Sequence, residues 1–485
     1  MRPLRIAQVS SELAPFAKTG GLGDVAAALP RYLARAGHDV RPFVPLYGNL
    51  KQADALRPVS FLKDVPLTLG GRPYAFSVFT APVRPGGPAA YFVSCPPLYG
   101  RPETYSGRGD EHLRFAFLSR AAIECCQRMG FAPDVFHAHD WHAALVPLYL
   151  KTLYSWDRLF ARTKTLLTIH NVGYQGTCGS EVLSDLDLVP FAPLVNQDDL
   201  MHGRFRFLTT GILYADAVST VSVTNAKEMM TDEGGMGLAP LLRARASTFV
   251  GIVNGIDTEE WDPARDPRIA ARYSAEDLSG KARCREALLE VTNLSPSPRG
   301  PVLGVVSRLT SQKGFDVAFR ELPARLATND IRLVALGTGE PGYARFFRSL
   351  EERYPGRVRF TEGYDDGHAH RIEAGADLFL MPSRYEPCGL NQMYSLRYGT
   401  PPLVHATGGL ADTVKPFHAS TGRGTGFVFE NFDETGFGWA LDSALSVWTD
   451  RSLWRRLVLN GMSEDWSWDR QIGKYVSLYE HLIGA

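Results

Sequence analysis

The sequence predicts an α/β protein made of two domains, each built on a mostly parallel sheet. At 485 residues the chain is too long for one compact core, which favours two domains. Short apolar runs typical of buried strands alternate with helical patterns in both halves. Polar or glycine-rich segments follow these runs, at the edge where open α/β sheets bind ligands.

The composition is that of an ordinary globular protein. The 52 basic and 52 acidic residues balance to zero net charge, which gives no reason to expect nucleic acid or an anionic membrane as partner. The six cysteines form no CxxC pair, so a reducing cytoplasm is the simplest compartment. The N-terminus lacks the apolar stretch of a signal peptide, and no run approaches the ~18 apolar residues of a membrane-spanning helix.

The chain is predicted to begin with a strand at residues 4–10 and a helix at residues 25–36, which Asp24 is placed to cap. A glycine loop before a helix N-terminus is a typical anion cradle, because free amides and the helix dipole favour negative charge there. Glycines alone are a weak signal, whereas a neighbouring lysine is a good phosphate partner. Lys18, Gly20 and Gly21 of this loop are therefore candidates for binding a phosphate group.

The remainder of the first half is predicted to contain a β-rich insertion at residues 51–110 and then alternating helices and strands. Helices are predicted at residues 112–129 and 143–150. Strands are predicted to begin at residue 134 and to cover residues 165–169, 213–221 and 248–253. His139, Asp140 and His170 stand where two of these strands end, which is the expected ligand edge.

The second half repeats the alternation after a domain boundary near residues 254–262, so that the domains cover residues 1–255 and 256–465. Its predicted strands cover residues 302–307, 331–337, 358–363, 378–381 and 402–405. Its predicted helices follow residue 314 and cover residues 343–354, 368–374 and 390–398. Strands alternating with helices at this spacing indicate a parallel sheet.

Two cations, Arg308 and Lys313, follow the first strand of the second half. A forked guanidinium and a mobile ammonium at the mouth of a parallel sheet suit a diphosphate. The alternative is a pair of solvated surface side chains, and the spacing leaves both interpretations open.

A carboxylate, Glu386, follows the strand at residues 378–381, and a glycine turn follows the next strand. Carboxylates are seldom buried without a partner, so Glu386 is a candidate nucleophile, base or hydrogen-bond acceptor for sugar hydroxyls. Cys388 beside it has no local signature of a paired base and needs no role beyond packing.

Three histidines, His137, His139 and His142, invite a metal interpretation, since residues 137 and 139 of a strand share one face. No further cysteine or glutamate nearby completes a ligand set, and we expect no metal here. By spacing alone, His170 is a core histidine rather than a ligand.

Taken together, a set of motifs resembles the bacterial glycogen synthase and plant starch synthase family, retaining glucosyltransferases that extend α-1,4-glucans. The resemblance spans almost the whole chain, in order. The motifs are Lys18-Thr19-Gly20-Gly21-Leu22, His139-Asp140-Trp141-His142, Thr168-Ile169-His170-Asn171, Tyr174-Gln175-Gly176, Asn254-Gly255-Ile256-Asp257, Ser307-Arg308-Leu309-Thr310, Gln312-Lys313-Gly314, Pro382-Ser383-Arg384, Glu386-Pro387-Cys388-Gly389-Leu390 and residues 407–414.

The resemblance implies the GT-B architecture, two Rossmann-like domains flanking a deep cleft, with a C-terminal helix at about residues 466–485 packing back on the first domain. It implies ADP-glucose as donor, an α-1,4-glucan (glycogen) primer as acceptor and no required metal or cofactor. It implies that Glu386, Lys313, Arg308, His170 and Asp140 act in catalysis, Glu386 by holding glucose hydroxyls. Donor contacts are implied for Lys18, Gly20, Gly21, Arg308, Lys313, Tyr364, Cys388, Gly389, Leu390, Thr407, Gly408, Gly409 and Leu410.

Two alternatives stay open at this stage. The same fold could use UDP-glucose or another acceptor, or the chain could be a non-catalytic glucan-binding relative. Lys18, Arg308, Lys313 and Glu386 are all present, which argues against a non-catalytic relative. A glucan phosphorylase fits less well, because no lysine motif for a pyridoxal cofactor is found.

Overall fold

The computed structural model describes residues 2–50, 53–296 and 299–484. Parts of the predicted domains, insertion and C-terminal helix that fall on residues 1, 51–52, 297–298 and 485 lie outside the described residues. The chain divides into two compact units, Met1–Gly255 with Gln471–Ala485, and Ile256–Arg470. Within the described part, no helix is both long enough and apolar enough to cross a membrane.

The first unit is built on a mainly parallel sheet. Its strands are β1 Arg5–Val9, β2 Asp39–Pro45, β3 Arg57–Pro58, β4 Val65–Leu69, β5 Arg72–Pro82, β6 Ala89–Ser94, β7 Val135–His139, β8 Lys164–Ile169, β9 Thr177–Gly179, β10 Arg204–Arg206, β11 Ala217–Thr220 and β12 Phe249–Gly251. The sheet order is β12-β11-β8-β7-β1-β2-β6-β5-β3, with β4 paired to β5 and a separate β9–β10 ribbon. The strand order reverses between β1 and β7, which is the switch point where such sheets bind ligands.

The helices of the first unit cover its sheet. They are α1 Gly21–Arg35, α2 Pro96–Tyr99, α3 Glu111–Arg128, α4 Asp140–Ala143, α5 Val146–Lys151, α6 Val182–Asp185, α7 Gln197–Met201, α8 Phe207–Tyr214, α9 Val223–Met229 and α10 Ala239–Ala244. Strands β7 and β11 are buried along their whole length, as parallel strands covered on both faces must be.

Three predictions about the first unit were wrong in detail. Helix α1 begins at Gly21, so Asp24 lies in its first turn and does not cap it. The segment before residue 215 is helix α8, and the strand is confined to Ala217–Thr220. The predicted insertion does contain strands β3 to β6, but they extend the main sheet, because β6 pairs in parallel with β2 and antiparallel with β5.

Within the described residues, the second unit is built on a six-stranded, wholly parallel sheet. Its strands are β13 Val302–Leu309, β14 Arg332–Gly339, β15 Val358–Glu362, β16 Leu378–Met381, β17 Pro402–His405 and β18 Phe427–Phe429. The order β15-β14-β13-β16-β17-β18 is the Rossmann order 3-2-1-4-5-6, whose switch point lies between β13 and β16. The predicted bounds of β16 and β17 are confirmed.

Helices precede, connect and follow these strands in the second unit. They are α11 Ser279–Val291, α12 Glu321–Thr328, α13 Pro341–Arg353, α14 Asp366–Gly375, α15 Asn391–Arg397, α16 Gly408–Thr413, α17 Glu434–Thr449 and α18 Arg451–Met462, followed by α19 Trp468–Ile483. Helix α14 is capped by Asp365, whose side chain accepts from the amide of His368. The last residues of α19 belong to the first unit, where Tyr479 is fully buried.

Candidate active site

The centre of the second unit's site is an ion pair between Lys313 and Glu386. Lys313 closes the 3₁₀ turn Ser311–Lys313 after β13, and Glu386 lies in the loop after β16. The ammonium donates to Glu386 Oε2, which also accepts from Ser383 Oγ at 2.8 Å. The two side chains are 14% and 7% exposed, so the buried carboxylate has the partner that its burial requires.

The two loops that carry this pair are joined by hydrogen bonds to backbone carbonyls. The amide of Arg384 donates to Gln312 O at 2.9 Å, and Gln312 Nε2 donates to Tyr385 O at 3.4 Å. Gly314 follows Lys313 with a φ of 68°, a conformation that favours glycine. The glycine therefore ends the turn in a way that holds Lys313 against the neighbouring loop.

Arg308 occupies a different position from the one predicted. It lies inside β13 rather than after it, and its side chain is exposed, with Nη2 donating to Gln312 Oε1 at 3.4 Å. Of the two predicted cations, only Lys313 has a hydrogen bond to Glu386 among the described contacts. The guanidinium of Arg308 is therefore oriented through Gln312.

The glycine turn after β17 packs tightly against the Glu386 loop. Gly408 begins α16, and the amide of Gly409 donates to Glu386 O at 3.0 Å. The amide of Leu410 donates to Thr407 O at 3.0 Å. The amides of Gly409 and Leu410 therefore both donate within the protein, and the donor contacts implied for these residues stay a prediction.

Cys388, Gly389 and Leu390 form the end of the Glu386 loop. Gln392 Nε2 donates to Cys388 O at 3.0 Å and to Gly389 O at 3.1 Å. The thiol of Cys388 is buried, consistent with packing.

Tyr364 follows β15, with 66% of its surface exposed and its hydroxyl donating to Asp366 Oδ1 at 3.2 Å. Its ring therefore lies at the surface of the second unit.

In the first unit, Asp140 and His170 come together at the ends of β7 and β8. Asp140 Oδ1 accepts from the amides of His170 and Asn171 at 2.7 and 3.3 Å. Burial raises the pKa of Asp140 to about 7; the two amides lower it, and the nearby charge of Glu12 raises it further. Asp140 has a φ of 55°, a rare backbone conformation for a residue with a side chain and typical of functional positions.

The histidines of β7 form a buried, neutral network. His137 contacts Tyr479 Oη at 2.8 Å through Nδ1 and Thr168 Oγ1 at 2.6 Å through Nε2, so both of its ring nitrogens are engaged within the protein. His139 Nδ1 lies 2.9 Å from His170 Nε2. Burial lowers the pKa of His170 to about 3, so this imidazole is uncharged at neutral pH.

Lys18 lies in the loop before α1, with its ammonium 2.7 Å from the carboxylate of Asp24. The loop that contains it is organised by Glu12, a residue that sequence reasoning missed. Glu12 is buried and accepts from the amides of Thr19 and Gly20 at 2.7 and 3.1 Å. It also accepts from Tyr105 Oη at 2.7 Å. Its place directly after β1, at the switch point, is the signal that could have identified it.

Comparisons with known proteins agree with this geometry. Residues 5–244 match the family model described as "Starch synthase catalytic domain", and residues 293–457 match "Glycosyl transferases group 1". A "Glycogen synthase" from Anaeromyxobacter sp. (strain Fw109-5) is 46% identical, over 99% of both chains. The chain belongs to the glycogen and starch synthase family. It is thus a retaining glycosyltransferase.

Further relatives of this family agree over the full length. A "Glycogen synthase" from Streptococcus gordonii is 39% identical over 99% of this chain and 100% of its own. The structure "Catalytic domain of Starch Synthase IV from Arabidopsis thaliana bound to ADP and acarbose" superposes with a TM-score of 0.93, 34% identity and full coverage of both chains. The fold is therefore the GT-B fold of the glycogen and starch synthase family.

Proposed function

We propose that this chain transfers the glucosyl unit of ADP-glucose to the non-reducing end of an α-1,4-glucan, with retention of configuration. The observation that carries the proposal is the Lys313–Glu386 pair at the reversal of strand order, where doubly wound sheets bind nucleotides. The Arabidopsis relative was solved bound to ADP, which supports an adenosine donor. We propose that the protein is located in the cytoplasm.

In the proposed reaction, the bond between glucosyl C1 and the diphosphate oxygen breaks as the acceptor hydroxyl bonds to C1 on the same face. The departing phosphate takes the acceptor's proton. Lys313 has three N–H donors, of which Glu386 takes one. The others, with Arg308, would stabilise the negative charge that develops on the diphosphate.

Glu386 is proposed to position the glucosyl hydroxyls and not to form a covalent bond. Its Oε2 is already held by Lys313 and Ser383, a setting that fixes its orientation. Same-face proton transfer to phosphate removes the need for the paired carboxylates of glycosidases. Detection of a glucosyl–Glu386 adduct by mass spectrometry would contradict this role.

The first unit is proposed to contribute hydrogen-bonding groups for the glucosyl unit. His170 is uncharged because of its lowered pKa, and Asp140 is fixed by two backbone amides. Lys18, Gly20 and Gly21 are proposed as phosphate contacts, and Tyr364 of the second unit as the stacking partner of adenine. Cys388 to Leu390 and Thr407 to Leu410 would shape the donor site.

The test is an elongation assay with purified protein, labelled ADP-glucose, glycogen primer and no added metal. We expect incorporation into glycogen, with an α-1,4 product. UDP-glucose is assayed in parallel, and preferential use of UDP-glucose would favour the alternative donor. Absence of incorporation from both donors, with the primer still bound, would favour a non-catalytic glucan-binding relative.

A further inference from the structure

Two carboxylates and a histidine of the second unit converge at a place to which the proposed reaction assigns no role. The possible ligand atoms of Glu260, Asp366 and His370 all lie within 4.8 Å of one another. His370 Nε2 is 4.0 Å from Asp366 Oδ2. Glu260 and Asp366 are partly exposed, whereas His370 is completely buried.

The imidazole of His370 is held in one orientation by its surroundings. Its Nδ1 lies 2.7 Å from Asp266 Oδ2, and Tyr398 Oη donates to the same oxygen at 2.7 Å. The indole of Trp261 stacks on the ring, with centroids 3.7 Å apart and planes at 12°. This packing fixes the direction in which Nε2 points.

The second nitrogen of His370 is engaged by Asp266. Asp266 Oδ2 accepts from Tyr398 Oη and lies 2.7 Å from His370 Nδ1, so Nδ1 is the nitrogen placed to donate to this carboxylate. This carboxylate–histidine arrangement is the one that orients metal-binding imidazoles in proteins.

His370 Nε2 is buried and has no hydrogen-bond partner among the described residues. A nitrogen lone pair that faces two carboxylates is electrostatically unfavourable unless a cation lies between them. Imidazole and carboxylate are both ligands of zinc, at about 2.0–2.2 Å from the ion. The two carboxylate side chains are exposed enough to adjust to that distance.

We propose that Glu260, Asp366 and His370 form a binding site for one divalent transition-metal ion, with Zn²⁺ as the ion that suits them best. The site uses none of the residues proposed to act in catalysis, although Asp366 also accepts from Tyr364 Oη, the proposed stacking partner of adenine. By bridging the Glu260 segment and the start of α14, the ion would stabilise the second unit.

Arg268 is the competing cation at this site. Its guanidinium lies 3.3 Å from Glu260 Oε1 and 3.3 Å from Asp366 Oδ2. The side chain is 35% exposed, so it can swing into solvent when a metal binds. Replacing Arg268 with Gln should therefore tighten Zn²⁺ binding, because the carboxylates lose a competitor.

The experiment is a calorimetric titration of the full chain with Zn²⁺ after treatment with a chelator, using protein without an affinity tag. Wild-type protein should bind one ion per chain at this site, with a rise in melting temperature. Glu260→Gln and Asp366→Asn should each weaken this binding at least about tenfold, since each removes a charged ligand. Co²⁺ should quench tryptophan fluorescence in the wild type through Trp261, and less in these variants.

Glu352→Gln is the matched control, because Glu352 is an exposed carboxylate of α13 in the same unit. It should bind Zn²⁺ as the wild type does. Wild-type protein that binds no Zn²⁺ would overturn the proposal, even if Arg268→Gln binds it, because Arg268 would then be the native cation. Equal binding by the wild type and the Glu260 and Asp366 variants would place the ion elsewhere and also overturn it.

Discussion

Lys313 donates to the buried carboxylate of Glu386 across the point where the strand order of the second sheet reverses. The two residues are 73 positions apart in the sequence. Ser383 and the backbone of Gly409 hold the same loop from two other directions. Glu386 therefore connects three loops: its side chain bonds to Lys313 after β13, and its backbone carbonyl accepts from Gly409 after β17.

Removing one partner of this pair should cost more stability than removing both. Lys313→Met leaves Glu386 buried and uncompensated, and we expect a loss of about 3–5 kcal/mol in the free energy of unfolding. The double variant Lys313→Met/Glu386→Gln should recover part of that loss. Chemical denaturation of these two variants and of Glu386→Gln alone measures the interaction; purely additive losses would contradict a direct contact between the two side chains.

Glu12 should hold the Lys18 loop in the conformation that binds the donor, because it accepts from two amides of that loop. Glu12→Gln replaces an acceptor of several hydrogen bonds with a group that has one acceptor oxygen, and bonds to charged groups contribute about 1.5–3 kcal/mol. We expect KM for ADP-glucose to rise about tenfold or more, with a smaller change in kcat. Tyr105→Phe, which removes a single donor to Glu12, should have a weaker effect of the same kind. An effect on kcat alone would argue against this role.

Asp140 should make stability fall as pH rises. Its folded pKa of about 7 lies above its ordinary value of 3.8, so the folded state holds a proton that the unfolded state releases between these values. Asp140→Asn removes this titration while keeping an oxygen for the two amides. The stability of the variant relative to wild type should grow from pH 4 to pH 7, by up to about 1.4 kcal/mol per unit of pKa shift, and then level off. Thermal melts across this range measure it; a constant difference would contradict the assignment.

The buried histidines should make the stability of the protein rise with pH, which is opposite to the effect of Asp140. Burial lowers the pKa of His137 and His170 to about 3, from 6.5, and lowers those of His139 and His142 in the same direction. Their contribution to stability is complete above pH 6.5 and is lost as pH falls toward 3. His137→Gln should reduce the slope of unfolding free energy against pH by up to about 1.4 kcal/mol per pH unit. An unchanged slope below pH 6 would mean that folding does not lower the pKa of His137.

Gly409 should tolerate no side chain. A Cβ there would overlap the backbone of Cys388, which is part of the Glu386 loop, so Gly409→Ala must shift that loop. We expect a loss of transferase activity of about 10²-fold, the effect of misplacing a site by about 1 Å. Gly342→Ala is the control, because a Cβ at Gly342 meets nothing within 4 Å. Equal activity of the two variants would contradict the tight packing.

Local pattern in the sequence was enough to predict the fold class and much of the site. The predicted bounds of β16 and β17 are the observed ones, because short apolar runs between turn residues specify buried strands. The residues that follow each strand could be named as candidates, since carboxyl ends of parallel strands share one edge. Asp140 and His170 do meet at that edge. The motifs in order were sufficient to predict the family.

Only the tertiary structure decided which of these groups contact one another and in what charge state. The Lys313–Glu386 pair, the role of Glu12 and the parallel pairing of β6 depend on contacts between distant segments, which no local window contains. Arg308 proved to lie within β13, because strand length is set by pairing with β14 and not by apolar residues alone. The pKa values of Asp140 and His170 follow from burial, and burial is a property of the packed chain rather than of the sequence around a residue.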